Sequence, residues 1–418
     1  MVFWTYDIRG LYEKELTPEF MHKVGEAIAR LNVDTVGVGM DGRYHSPVLK
    51  KGLMSGLIMK GKNVIDLGLA PTPSVAFISF IQKTLATTIT ASHNPIEWNG
   101  CKIINEGLPV PSEFYQKIRD SVLVNNRKIE LVEDKLPNLD AVENHFHGIH
   151  KKIKNSFDGL RVVMDFRGGI GSLWKEKFEE FGVEVIGIND EIDPFLKKDP
   201  EPKIENMEEA RDAVVEWKAD VGFVFDGDAD RVLVIDDEGN PVLGDVLLAL
   251  LAEEYKKLVT IYEGSMLFEE LGFEVIRTRR GDVFYTKKMK EAKFPLAGED
   301  NGHICFSEFQ FYPDPAYTVI KLLKKIKKDG RLSDLVKKYP KYYKKIVSYR
   351  CKNPEEIVET FKRKYPEHMD IGDGIKIFFE DSWVVVRRSQ TEPKVRVTVE
   401  AKDKAKLKEL LKQFEVKV

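Results

Sequence analysis

Four short polar stretches of this chain carry side chains that can do chemistry. The first is TASHNP, residues 90–95, which follows the apolar run Leu85–Ile89 and closes on an Asn-Pro turn signal. A strand therefore ends by presenting Ser92 beside His93. Adjacent side chains point apart in an extended loop, so a hydrolase reading of Ser92 needs a base from elsewhere in the chain. In the other reading Ser92 carries a phosphoryl group, adding about −1.5 to −2 charges that a nearby Mg²⁺ offsets. The plain alternative is an ordinary Asn-Pro turn.

The second stretch is DGDADR, with Asp226, Asp228 and Asp230 at alternate positions. If strand geometry continues through it, all three carboxylates face one way. Close carboxylates repel unless a cation sits among them, and hard oxygen ligands in this number suit Mg²⁺. A solvated acidic turn is the competing reading. An EF-hand fits poorly, because Arg231 stands where its sixth position needs Gly. The third stretch, GEDNGH, brings Glu299, Asn301 and His303. Carboxylate and amide groups can exchange hydrogen bonds with sugar hydroxyls, and a histidine can carry a proton near neutral pH or be purely structural. The fourth, RRSQTEPKVR, brings Arg387, Ser389, Gln390, Thr391 and Arg396. Arginine forks and hydroxyls around a turn make a phosphate clamp; a charged hairpin is the bland alternative.

The elements that would position these stretches repeat. TVGVGMD (35–41), KNVIDLG (62–68) and LATTITASHNP (85–95) are apolar strands separated by helical stretches. The same order recurs in LRVVMDFRGG (160–169), VEVIGIND (183–190) and ADVGFVFDGDADR (219–231). It recurs again in KLVTIYEG (257–264), FEVIRTRRGD (273–282) and FPLAGEDNGH (294–303). Strands alternating with helices predict mostly parallel α/β/α sheets, with ligands beyond the strand carboxyl ends. Three such units can aim three different loops into one cleft. The tail differs. A helix at 354–366, strands at 374–381 and 382–401 around a polar loop, and a closing amphipathic helix at 403–414 predict a smaller α+β domain. Its linker is expected near residues 339–345. The domains are expected at 1–150, 151–245, 246–343 and 344–418.

Bulk properties set the class. The chain has 418 residues, 43% of them hydrophobic, which suits several packed cores. A formal net charge of −3 marks no nucleic-acid or polybasic membrane partner. Charged residues reach 32% while glutamine occurs five times, a bias in the direction of heat adaptation. Cys101, Cys305 and Cys351 share no CxxC spacing and fit a disulfide-free protein. Asp7 and Arg9 stand where a signal peptide needs an apolar core, and the apolar run 246–252 is too short to span a bilayer. A cytoplasmic protein is expected.

Taken together, the motifs resemble the phosphohexomutase (phosphoglucomutase–phosphomannomutase) superfamily, in order and over nearly the whole chain. YDIRG (6–10) resembles its N-terminal signature, VGMDGRYHSP (38–47) its VGxDxRxSS segment, and TASHNPIEWNGCKI (90–103) its phosphoserine loop. DGDADR resembles its metal loop, GEDNGH its sugar loop, and RRSQTEPKVRV its RxSxTEP phosphate loop. The resemblance implies that Ser92 is the phosphoserine and that Asp226, Asp228, Asp230 and a phosphoserine oxygen hold Mg²⁺. It implies that hexose 1-phosphate, of mannose or glucose, becomes a bound 1,6-bisphosphate, turns end over end and leaves as the 6-phosphate. Arg9, His93, Lys102 and His303 are the catalytic candidates, His93 by positioning the loop. Arg231, Arg279, Glu299, Asn301, Arg387, Ser389, Gln390, Thr391 and Arg396 are the substrate-binding candidates. Small-molecule sugar phosphates are the expected partners of a monomer or homodimer, and the last domain is expected to hinge.

Some positions depart from the family pattern. Asn301 stands where Ser is frequent, Gln390 where Asn or Gly is usual, and His45-Ser46 where Ser-Ser is usual. Phosphoglucosamine mutases share every motif, but their bacterial type tends to have Gly at the position of Gln390, which leans the reading toward a 2-hydroxyl sugar. Two rivals stand beside these. FVFDGD resembles the hhhDxD start of haloacid-dehalogenase phosphatases with Asp226 as nucleophile, although Asp230 stands where Thr or Val is favoured. A non-catalytic sugar-phosphate sensor on the same fold is the other.

Overall fold

The apolar strand runs of the sequence pair as the repeat requires. In the computed structural model, which describes residues 2–3, 6–123, 131–132, 136–389 and 393–416, the strands fall into four sheets. The first contains β1 (Ile8–Leu11), β2 (Thr35–Met40), β3 (Asn63–Leu69), β4 (Leu85–Ile89), β5 (Trp98–Asn105) and β6 (Leu108–Pro109) in the order β1-β5-β4-β2-β3, with β6 on β5. The second contains β7 (Arg161–Asp165), β8 (Glu184–Ile188), β9 (Val221–Phe225), β10 (Val232–Asp236) and β11 (Pro241–Val242) in the order β11-β10-β9-β7-β8. The third contains β12 (Lys257–Ile261), β13 (Glu274–Thr278), β14 (Leu296–Gly298) and β15 (Ile304–Phe306) in the order β13-β12-β14-β15.

One plan underlies all three. Three parallel strands lie with the first in the middle, and the third is followed by an antiparallel partner: β4 by β5, β9 by β10, β14 by β15. The first three polar stretches are therefore the hairpins at the carboxyl ends of third strands, and the fourth lies between two strands of the last sheet. The fourth sheet contains β16 (Tyr343–Arg350), β17 (Met369–Asp370), β18 (Gly374–Phe379), β19 (Ser382–Arg388) and β20 (Lys394–Ala401), antiparallel throughout, in the order β16-β20-β19-β18-β17. Helices Pro354–Lys364 and Lys404–Gln413 cover it through Val358 and Leu410, with Phe414 just past the end of the second.

The segment expected as a linker, residues 339–345, differs in its second half: β16 begins at Tyr343. Its run YKKIVSYR alternates polar and apolar residues unevenly, because one edge strand faces solvent over most of its length. The apolar run 246–252 lies in helix Gly244–Ala252, whose residues Leu247–Ala252 are all buried. It packs in a core common to the second and third sheets with Phe166, Phe223, Leu258 and Phe306. Helix Ala141–Lys152 joins that same core through Phe146 and Ile149. Among the described residues no helix is long and apolar enough to cross a membrane.

Candidate active site

The hairpin after β4 is held by one buried arginine. Arg43 donates to the backbone carbonyls of Ser92 (3.0 Å), Asn94 (2.6 Å), Pro95 (2.8 Å) and Trp98 (3.0 Å). Asp41, 3.2 Å from its Nε, balances the charge and accepts the hydroxyl of Ser46 at 2.5 Å. His45 contacts the Ile96 carbonyl at 2.8 Å. The segment VGMDGRYHSP is thus the socket of the serine loop. Within it Ser92 adopts φ of +52°, a left-handed conformation unusual for serine, and its N–H donates to Thr90 Oγ1 at 2.9 Å. That backbone turn corrects the extended-loop expectation: Ser92 and His93 do not point apart, and Ser92 Oγ lies 3.1 Å from His93 Nδ1. Burial, and then Arg231, push His93 well below the ordinary imidazole range.

The aspartates converge, but not by continued strand geometry. β9 ends at Phe225 and the chain turns, with Asp226 Oδ1 accepting the N–H groups of Asp230 (3.0 Å) and Arg231 (3.1 Å). One carboxylate oxygen from each of Asp226, Asp228 and Asp230 lies within 4.8 Å of the others, and all three residues are buried. The serine hydroxyl donates to Asp226 Oδ2 at 2.9 Å. Gly227 makes this approach possible, since a Cβ there would sit 2.5 Å from the Ser92 carbonyl oxygen. From the first sheet, Lys102 on β5 donates to Asp228 (2.6 Å) and Asp230 (2.5 Å), and Thr72 donates its hydroxyl to Asp228 at 2.7 Å.

Three carboxylates face two cations, the Lys102 ammonium and, 3.9 Å from Asp226, the Arg231 guanidinium. Burial, then Asp230 and Asp228, push Asp226 well above the usual carboxylate range. Against the same burial, Lys102 and His303 hold Asp230 well below it. Among the described residues Asp228 Oδ1 is buried with no hydrogen-bond partner. A buried orphan oxygen among mutually repelling carboxylates is a donor set that fits a hard divalent cation.

The other candidates approach from two sides. Arg9 on β1 pairs with Asp7 at 2.6 Å and donates to Asn94 Oδ1 at 2.6 Å. His303, at the end of the β14–β15 hairpin, places Nε2 2.9 Å from Asp230 Oδ1. Arg231 Nε lies 3.3 Å from the same nitrogen. One ring nitrogen cannot donate to a carboxylate and accept from a guanidinium together, and the shorter carboxylate contact is the hydrogen bond. Asn301 accepts the His303 N–H at 3.2 Å and donates to Glu299 at 3.3 Å.

The β19–β20 hairpin sets Arg387 opposite Arg396 in register, and the Ser389 N–H donates to the Lys394 carbonyl at 2.8 Å. Arg387 lies 2.8 Å from Glu263, and Arg279 donates to the Ile371 carbonyl at 3.2 Å. Gln390 and Thr391 lie outside the described residues. Ser92, His93, Arg9, Lys102, the aspartates, Arg231 and His303 thus form one group, and Glu299, Arg279 and Arg387 a second around the third and fourth sheets. Sequence reasoning gave no role to Arg43, Thr72, Glu263 or Arg280. Arg43 stood inside a motif; Thr72 and Glu263 carried no local signal, since their partners lie far along the chain.

Comparison with known proteins adds the following. Models of phosphoglucomutase/phosphomannomutase alpha/beta/alpha domains I, II and III match residues 1–128, 139–239 and 244–343, and the model of its C-terminal domain matches 337–416. A probable phosphoglucosamine mutase of Methanosarcina acetivorans is 34% identical over 96% of this chain and 96% of its own. A phosphoglucomutase/phosphomannomutase of Thermococcus kodakarensis is 33% identical over 98% of this chain and 96% of its own. Among solved structures, a phosphoglucomutase/phosphomannomutase family protein of Burkholderia thailandensis superposes with a TM-score of 0.89 at 25% identity, over 99% of this chain and 96% of that one.

Proposed function

From the premise that this chain belongs to the phosphoglucomutase/phosphomannomutase family and is a phosphohexomutase, an isomerase, we propose that it interconverts the 1- and 6-phosphates of mannose or glucose through a phosphoserine at Ser92. The observation that carries this reading is the 2.9 Å contact of Ser92 Oγ with Asp226 inside a buried three-carboxylate cluster. A serine aimed at carboxylates is a poor hydrolase nucleophile, whereas a phosphoserine there would place its oxygens beside a metal-binding group.

Asp226, Asp228 and Asp230, with a phosphoserine oxygen, would hold Mg²⁺, which when bound offsets charge on the transferring phosphoryl group. The sugar 6-hydroxyl oxygen forms the new bond to phosphorus as the bond from phosphorus to Ser92 Oγ breaks. The hydroxyl proton passes to His303, whose ring is oriented by Asp230. Lys102 and Arg9 stabilise charge on the phosphoryl oxygens. The resulting 1,6-bisphosphate reorients, Ser92 Oγ forms its bond to the 1-phosphoryl phosphorus as the bond from phosphorus to the sugar O1 breaks, and His303 returns the proton to O1. Arg387, Ser389, Arg396 and Arg279, with Gln390 and Thr391, grip the phosphate that is not reacting. Glu299 and Asn301 read the sugar hydroxyls, and Arg231 faces the substrate from the metal loop.

A second reading, glucosamine phosphate as substrate, is favoured by the names of several relatives. A phosphorus NMR time course with Mg²⁺ and a trace of hexose 1,6-bisphosphate separates them. Mannose, glucose and glucosamine 1-phosphates are offered one at a time, and fastest conversion of mannose or glucose 1-phosphate to its 6-phosphate is expected. Fastest conversion of the glucosamine ester selects the second reading. Inorganic phosphate alone means a phosphatase, and ligand binding without turnover means a sensor.

A further inference from the structure

Between the sugar loop and the phosphate hairpin runs a chain of charges that the motifs do not name. Glu299 is clamped at both oxygens: Arg280 Nη1 donates to Oε2 and the Gly281 N–H donates to Oε1, each at 2.9 Å. Gly281 has φ of +123°, a conformation that side chains disfavour, and that turn aims both donors at one carboxylate. Arg280 reaches further, with Nε 3.5 Å from Glu263 Oε1. The same Glu263 oxygen lies 2.8 Å from Arg387 Nε, at ion-pair distance without the alignment of a hydrogen bond. The run Glu299–Arg280–Glu263–Arg387 therefore crosses from the third sheet to the fourth. Glu263 and Glu299 are each 2% exposed. Charges so buried persist only while their partners hold, so a change at one end is felt along the run.

Arg387 and Glu299 meet opposite ends of the substrate in the reading above, on which this inference rests. We propose that Arg280 and Glu263 are positioning residues that couple those ends. Arg280 fixes the orientation of Glu299 toward the sugar, and Glu263 holds Arg387 until the non-reacting phosphate competes for its guanidinium. The phosphate draws the Arg387 fork, because charge-assisted contacts to a dianion are stronger than its misaligned contact to Glu263 and its 3.6 Å ion pair with Asp373. Glu263 is then left to Arg280 alone and draws that guanidinium toward itself, which eases the clamp on Glu299 and frees its carboxylate for the sugar hydroxyls. Binding of the phosphate thereby improves recognition of the sugar.

The test compares kcat and KM of the wild-type chain with Glu263→Gln, Arg280→Lys and Arg280→Met. It adds the pair Glu299→Gln and Arg387→Lys, singly and together, in wild-type and Glu263→Gln backgrounds. Glu263→Gln is expected to raise KM about tenfold, within the usual span of coupling between sites, with kcat much less affected. Arg280→Lys should keep more activity than Arg280→Met. In the wild-type background the pair should depart from multiplicative effects by about tenfold, and in Glu263→Gln its effects should simply multiply. An unchanged KM in Glu263→Gln, or equal non-additivity in both backgrounds, overturns the proposal. Melting curves accompany each variant; if Arg280→Met does not fold, Glu263→Gln and Arg280→Lys carry the test. A wild-type chain that turns over no hexose phosphate refutes the functional reading itself, whereas an active wild type with a failed cycle refutes only the coupling.

Discussion

Two buried networks in this molecule use the same residue types and nearly the same distances. At the cleft, Ser92 lies 3.1 Å from His93, and His303 lies 2.9 Å from Asp230. Away from it, Ser74 Oγ lies 3.0 Å from His145 Nδ1, and His145 Nε2 lies 2.9 Å from Asp314 Oδ2. By type and distance the second is the better hydrolase triad. Its surroundings deny it that work. His145 packs among Phe77, Phe146, Trp174 and Phe309, and Asp314 spends its oxygens on His145, Gln310 and the N–H of Tyr317, which caps helix Pro315–Asp329. The network closes on itself, leaving over, among the described residues, one uncharged atom, Gln310 Oε1. Among the described residues the cleft network leaves over a carboxylate oxygen of Asp228 and a ring nitrogen of His303, beside three carboxylates gathered in one cluster. Chemistry sits where polar valence is unspent; a network that spends it is a rivet between elements.

Serine replacements should separate the two most widely. Ser92→Ala is expected to cut turnover by about 10⁴-fold or more, the scale of losing a nucleophile, with little change in melting temperature. Ser74→Ala should keep turnover and lower stability by about 1 kcal/mol, a hydrogen bond's worth. Turnover lost in Ser74→Ala at unchanged stability would break the comparison. Next in size, His145→Ala takes one of three partners from the buried Asp314 carboxylate and empties a site packed by four rings, and should cost about 3–5 kcal/mol, read by urea unfolding. The folded fraction should keep its kcat. Gly227→Ala tests the cleft from its backbone. The new Cβ meets the Ser92 carbonyl, the serine and aspartate loops must separate, and kcat should fall about 100-fold, as for a misplacement of about 1 Å.

How far the sequence foresaw these networks depends on what holds them. The three mixed sheets were legible because buried strands leave contiguous apolar runs, and the fourth was partly hidden where β16 lies exposed at an edge. Asp226, Asp228 and Asp230 were legible as a group because they stand close in the chain. Continued strand geometry would have aligned them, and a turn brings them together instead. The meeting of Ser92 with Asp226 could not be read locally, because it joins residues 134 apart across two sheets. The resemblance supplied it. The rivet escaped both routes: Ser74, His145 and Asp314 belong to no quoted motif, and each is unremarkable in its own helix or cap.

Lys376 sharpens the comparison, because it is a buried polar group that is neither rivet nor site. It lies on β18, and its ammonium donates to one carbonyl, that of Tyr262, at 2.7 Å. Burial, and then Arg277, push its pKa down to about 6, while the Trp383 ring 4.3 Å away favours the cation. If burial wins, the folded state has released a proton that the unfolded chain keeps up to a pKa of about 10.4. Wild-type stability then rises with pH from about 6 to about 10, because the unfolded state binds more protons across that window. Lys376→Met removes the penalty. It should raise the melting temperature most near or below pH 6, still raise it at pH 7, and lose its advantage as pH approaches 10. Melting curves at pH 6, 7, 8 and 9 check this. A variant less stable at pH 7, by an amount that does not change with pH, would mean that the aromatic ring keeps the lysine charged. Unspent valence alone would then not mark a liability, and the contrast between rivet and site would need the open cleft as its second condition.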